Sequence, residues 1–332
     1  MSIEKFGKTA DGLQVDAITI GSEDLTVTIL TFGAILQKVL LKGVPYSLTL
    51  GSPVIEPYED KFNSFGSIMG PVINRIKGAK AMISGQEFAF EKHHSGDLTQ
   101  HSGSTGMQRQ IWNVSDHGDD YVILRLSLSD GLGGFPGNRD ISATYRVAGN
   151  ALTLTVNATT DAPTLMNPAN HSYWNMDGTA GFAGHTLTVH ADRYTEPNDA
   201  LMPTGELLPV GGSPYDFRDG MTLSGNDSQF FDLNLVLSDT CVDLRPVARL
   251  TGTNDVWMEM STTECGLQVY DCGTISRPNF PTNHDRPYTF HEGVALEAQS
   301  WPGATMHEHF PSIVLNPGDT YEQVTQWVFG QG

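Results

Sequence analysis

The chain has 332 residues, with 38 acidic against 19 basic side chains and a formal charge of −19 at neutral pH. Nucleic acid and anionic membranes need clustered Lys and Arg, which this chain spreads thinly, so neither is an expected partner, and phosphorylated sugars are disfavoured on the same ground. Cys241, Cys265 and Cys272 are an odd number without close spacing, which reads as reduced structural thiols rather than a disulfide scaffold or a zinc knuckle.

Met1-Ser2-Ile3-Glu4-Lys5 leads into polar sequence without the apolar core of a signal peptide, and no later run is long enough to span a bilayer, so a cytoplasmic protein is expected. Period-two alternation, the mark of half-buried strands, then recurs along the chain. It is seen in Leu25 to Ile29, Leu124 to Leu128, Leu152 to Val156, Leu187 to Val189 and Val256 to Ser261. The 35 glycines and 18 prolines fall mainly between such runs, as turns should. Only Ala304 to Phe310 reads as a short helix. No linker or charge block divides the chain, and no fixed period marks a propeller or solenoid, so one all-β domain over residues 1–332 is expected.

Asn170-His171-Ser172-Tyr173-Trp174-Asn175 follows a strand-like run and sets a histidine among amides and large aromatics. Such a mixture suits a sugar pocket: imidazole moves protons near neutral pH, amides read hydroxyls, and flat rings cover the C–H face of a pyranose. A histidine among aromatics is more often structural. Further on, Gly293 to Gln299 reads as a strand with Val294, Leu296 and Ala298 on one face and Ala295, Glu297 and Gln299 on the other. A carboxylate in an apolar strand either meets solvent or lines a cleft; Gln299 on its face and Trp301-Pro302-Gly303 just after favour the cleft. Gln268 and Tyr270 likewise share a face opposite Leu267 and Val269. His93-His94, His101 and His307-Glu308-His309 invite a metal reading, but no third ligand has zinc spacing, and neither a metal nor any other cofactor is expected. Phosphate-loop and Gly-x-Ser-x-Gly signals are absent.

Five stretches in one order resemble the aldose 1-epimerase family, the galactose mutarotases, and the resemblance runs through nearly the whole chain. They are Gly70-Pro71-Val72-Ile73-Asn74-Arg75-Ile76; Gln100-His101-Ser102-Gly103; Asn167 through Asn175; Phe231-Asp232-Leu233-Asn234; and Leu296-Glu297-Ala298-Gln299. The resemblance implies a large antiparallel β-sandwich, the galactose-mutarotase-like supersandwich, with the active site on a concave face. It implies an isomerase of hexose metabolism that interconverts the α and β anomers of a free aldose without a cofactor. Glu297 would be the base that takes the proton of the C1 hydroxyl and His171 the acid that protonates the ring oxygen, with roles swapped on closure. Asn74, Arg75, His101, Asp232 and Gln268 match family positions that hold the sugar or tune the pair.

These roles make physical sense in the residues themselves. Glu297 or Asp232 nearby would help hold His171 charged, Arg75 can fork onto vicinal hydroxyls, and ionised Asp232 accepts from two hydroxyl donors. The chain departs from the pattern at Pro71, where relatives often carry arginine, at Leu233, where many carry histidine, and at Gln100 to Gly103, where Leu-His-Gly-Gly is common. Such changes reshape a pocket without removing the acid or base, so the preferred aldose stays open. Two rivals share the residues: a non-catalytic carbohydrate-binding module using Trp174 and Trp301, and a glycoside hydrolase using Asp232 and Glu297. A monomer or a homodimer paired through strand edges is equally compatible with the sequence.

Overall fold

The computed structural model describes residues 1–93, 96–273 and 279–332; His94 of the histidine pair lies outside them. Three antiparallel sheets dominate. Ser2–Lys8, Gln14–Gly21, Leu25–Leu30 and Leu36–Leu41 form a sequential four-stranded meander. A nine-stranded sheet is centred on the long strands Arg139–Ala148, Ala151–Thr160 and Tyr321–Gln331, the last of which also pairs with Val256–Thr262. A six-stranded sheet runs in the order Tyr173–Trp174, Val294–Gln299, Gly266–Tyr270, Asp232–Val236, Arg193–Pro197 and Pro203–Pro209. Each alternating run read from the sequence falls inside a strand, Leu124 to Leu128 in Tyr121–Leu128 and Leu187 to Val189 in Thr186–Val189 of the nine-stranded sheet, and the others in strands given above. Ala304 to Phe310 does not form the helix expected of it: the segment is a chain of turns, with Met306 N–H bonded to Gly303 O at 2.8 Å and Phe310 N–H to His307 O at 2.9 Å. Gly303 enters it in left-handed backbone, with φ +83°, and Pro311 closes it, so no second helical turn is added to the first.

Period-two geometry decides which side of the six-stranded sheet is buried against the nine-stranded one. Leu233, Leu235, Leu267, Val269, Val294, Leu296 and Ala298 join Leu124, Leu154, Val156, Met258, Met260 and Trp327 in the main apolar core. Their neighbours in sequence must then face the other way, which sends Asp232, Asn234, Gln268, Tyr270 and Glu297 toward a separate cleft. Trp174 belongs to the core as well, 5.7 Å from the Trp327 ring centroid, and no part of it is exposed. Among the described residues no helix is long and apolar enough to cross a membrane.

Candidate active site

Strand register builds the catalytic-type pair. Asn234, Gln268 and Glu297 stand in one cross-strand row, and Asp232, Tyr270 and Ala295 in the next. Tyr173 pairs with Ala295 and Trp174 with Val294, so continuing that antiparallel register two residues outward sets His171 opposite Glu297. The contact is made: His171 Nε2 lies 3.4 Å from Glu297 Oε1, and both side chains are buried. The backbone of His171 is clamped on both sides, its N–H donating to Ser67 O at 2.9 Å and its carbonyl accepting from Gly66 N–H at 3.1 Å. Gly66 is left-handed, with φ +74°, and a Cβ there would run into the Leu36 carbonyl oxygen, so this clamp needs glycine. Asn170 completes it by donating from Nδ2 to Gly66 O at 2.8 Å.

A short ribbon brings in the second group of residues. Arg75–Lys77 pairs with Leu98–Gln100, and just before and after it Asn74 and His101 both take left-handed backbone, with φ of +64° and +48°. Non-glycine residues hold that conformation when their surroundings fix them, and such positions cluster at functional sites. Here Asn74 N–H donates to His101 Nδ1 at 3.3 Å, and His101 N–H donates to Asn74 O at 2.9 Å. With Nδ1 accepting, neutral His101 must carry its hydrogen on Nε2, which makes it a fixed N–H donor for the cleft. Burial, then the neighbouring His171 and Arg75, push its pKa well below the usual value and keep it neutral. Its ring centre is 5.6 Å from that of His171.

Asp232 joins the two groups. Its Oδ2 accepts from Arg75 Nη2 at 3.2 Å and its Oδ1 from Gln268 Nε2 at 2.6 Å. Fixing the carboxylate in this way also orients the guanidinium and leaves Gln268 Oε1 as an acceptor. Asn74, Arg75, His101, His171, Asp232, Gln268 and Glu297 all line one cleft of about 660 Å³, within the range usual for small-ligand pockets. Its wall is polar for much of its extent, with Tyr173, Tyr270 and Phe230 as its aromatic faces.

Electrostatics in the cleft differ from the sequence expectation on one point. Burial pushes His171 down to about 4, so the imidazole is neutral at neutral pH rather than held charged by carboxylates. Burial, assisted by the charge of Asp232 and opposed by Arg75, raises Glu297 well above the ordinary carboxylate range. Both shifts share a cause, the loss of water around a charged form. Both directions favour the uncharged forms, carboxylic acid and neutral imidazole.

Other sequence expectations also change. Trp301, like Trp174, is turned away from the cleft; it packs on Phe310, and its Nε1 donates to Cys265 O at 2.9 Å. The phenol and phenyl rings that line the cleft are instead those of Tyr173, Tyr270 and Phe230. His307 and His309 do not converge on a common point as metal ligands would: their Nε2 atoms contact the carbonyls of Pro203 at 3.2 Å and Gly205 at 2.9 Å. Asn63, Ser64, Lys92, Arg109 and Phe230 line the cleft without having been singled out in sequence. They come from loops without motif, and the one local signal is Phe62-Asn63-Ser64-Phe65, whose two rings stack in the core with centres 4.3 Å apart and present the residues between them.

An antiparallel β-sandwich with a buried imidazole–carboxyl contact in a polar cleft suits a carbohydrate-active class of protein. Comparison with known proteins narrows it. The aldose 1-epimerase family model matches residues 16–327. A galactose mutarotase of Sus scrofa is 30% identical over 99% of this chain and 94% of its own length, and an aldose 1-epimerase of Escherichia coli is 27% identical over 96% of each. The crystal structure of an aldose epimerase homologue from C. elegans superposes with a TM-score of 0.86 at 28% identity, covering 95% of this chain and 99% of that one. The chain belongs to the aldose 1-epimerase family, a family of isomerases.

Proposed function

We propose that the protein is a mutarotase that interconverts the α and β anomers of a free aldose, with Glu297 and His171 as its acid–base pair. The observation that carries this reading is the 3.4 Å approach of an imidazole to a carboxyl inside a cleft of hydroxyl-reading side chains. Ring opening needs one proton removed from the C1 hydroxyl and one delivered to the ring oxygen, and the pair holds one proton in total. When sugar hydroxyls donate to Glu297 they favour its ionised form, and the proton passes to His171. Glu297 then takes the C1 hydroxyl proton as His171 protonates O5, and the C1–O5 bond breaks to give the aldehyde. Rotation about C1–C2 presents the other carbonyl face. Closure returns the proton from Glu297 to the new C1 oxygen while His171 accepts the O5 hydroxyl proton. Arg75, held by Asp232, Gln268, and the Nε2–H of His101 would bind hydroxyls and fix the ring, with Asn74 holding His101 in place.

The neighbour of Glu297 being an imidazole favours this reading over a glycoside hydrolase, since both Asp232 oxygens are engaged by fixed donors. A lectin-type module would not require the buried pair. We place the protein in the cytoplasm, acting as one catalytic domain.

The test is polarimetric or dehydrogenase-coupled interconversion over a panel of free aldoses, for wild type, Glu297→Gln and His171→Asn, with sugar release from aryl glycosides in parallel. Acceleration by wild type, lost in both variants and without glycoside cleavage, is expected. A folded wild type that binds sugar yet accelerates none of the panel overturns the reading.

A further inference from the structure

Two cysteines distant in sequence meet beside a buried carboxylate where the strands carrying Asp232, Gln268 and Glu297 end. Glu264 and Cys265 form the turn between Val256–Thr262 and Gly266–Tyr270, and Cys241 lies in the loop after Asp232–Val236. The donor atoms of Cys241, Glu264 and Cys265 all lie within 4.8 Å of one another. Main-chain bonds hold the two segments together: Leu237 N–H to Cys265 O at 2.9 Å, and Val242 N–H to Thr263 O at 3.0 Å. The spacing is therefore preset by the fold.

We propose that Cys241, Glu264 and Cys265 bind a thiophilic divalent cation of the zinc class, with water as the fourth ligand. The separation of Cys241 Sγ from Glu264 Oε2 is 3.6 Å. A tetrahedral ion with Zn–S of about 2.3 Å and Zn–O of about 2.0 Å sets such an edge at roughly 3.5 Å. Charge also balances. Two thiolates and a carboxylate around a dication leave one negative charge, and Arg245 stands beside all three ligands with Nη1 bonded to Thr262 O at 2.6 Å. Cys241 is exposed while Cys265 and Glu264 are buried, so the ion has an entrance and an enclosed side. The buried carboxyl meets the Tyr321 hydroxyl at 3.1 Å, the Cys241 thiol and the Gln323 side chain, so an ion there would find a carboxylate already held in place. Cys265 Sγ has Ser300 Oγ at 3.7 Å as a partner that would orient it in the bound state.

Such an ion would clamp the loop at Cys241 to the turn at Cys265, three residues before Gln268, and so brace the floor of the cleft without touching sugar. The test adds zinc sulfate to the reduced full-length chain, removes excess by gel filtration, and measures bound metal, thermal unfolding, and the cadmium–thiolate charge-transfer absorption of a parallel sample. One zinc per chain, an unfolding temperature raised by zinc and lowered again by EDTA, and loss of metal in Cys241→Ser and Glu264→Gln are expected. Cys241 is exposed, so the serine variant should fold and keep its wild-type anomerase rate. Zinc retained by Cys241→Ser, no zinc retained by wild type, or bound zinc without the thiolate absorption in the cadmium sample would each overturn the proposal.

Discussion

Replacing Glu297 by Gln should make the protein inactive and, at alkaline pH, more stable, with a pH dependence set by the buried carboxyl. Burial raises Glu297 well above its ordinary value of 4.5, and lowers His171 from 6.5 to about 4. A raised carboxyl pKa contributes stability in full below the unfolded value, and that contribution drains away as pH rises toward the folded pKa. Between pH 4.5 and 6.5 the unfolded chain gains a proton on His171 but lacks one on Glu297, so the two effects oppose. Above 6.5 only the carboxyl remains, and wild-type stability falls with rising pH through this group, by at most about 1.4 kcal/mol per pH unit, until the folded carboxyl has ionised. Glutamine has nearly the same shape and no ionisation, and every other titrating group is common to both proteins. The stability gap between Glu297→Gln and wild type should therefore widen between pH 7 and pH 8, by at most about 1.4 kcal/mol. Urea unfolding at the two pH values, with equal slopes in both proteins, measures it. Turnover in the same variant should fall by at least ~100-fold. A gap that stays constant over this interval would mean that Glu297 is already ionised in the native free protein, and the desolvation reasoning would be wrong.

Three further outcomes follow from the same geometry. Asp232→Asn removes the negative charge that helps raise Glu297 and frees Arg75, so the alkaline limb of kcat/KM should move to lower pH and KM rise by roughly 10-fold or more; an unchanged profile would detach Asp232 from the pair. With His171 pushed down to about 4, kcat/KM should hold as pH falls from 7 to 5 and drop only near pH 4, with circular dichroism confirming the fold; a limb near pH 6.5 would show an imidazole still in water. Trp174→Phe opens space against Trp327 and Phe329 and should lower stability by about 1–3 kcal/mol while leaving KM for sugar unchanged. A KM raised several-fold would return Trp174 to the sugar.

Local periodicity fixed much of this protein. Alternation at Leu152 to Val156 or Val256 to Ser261 is legible because side chains on a strand must point to opposite faces, whatever lies around them. The same rule separated Glu297 from Leu296 and Ala298, and Gln268 from Leu267 and Val269, before any partner was known. At Ala304 to Phe310 the local pattern misled, since flanking prolines and a glycine turn outweighed a few helix-forming residues. Which rings border the cleft was also beyond it: Tyr173 and Trp174 are adjacent and similar, yet Tyr173 packs in a smaller cluster at the cleft wall and Trp174 in the main core. The protonation of the pair, and the meeting of Cys241 with Glu264 and Cys265, depend on burial and on contacts between segments far apart in sequence. Residue identity and alternation are properties of a few neighbours, so the sequence determined the strands and the residues able to do chemistry. Solvation and long-range proximity belong to the packed whole, so tertiary structure alone decided where protons rest and which side chains meet.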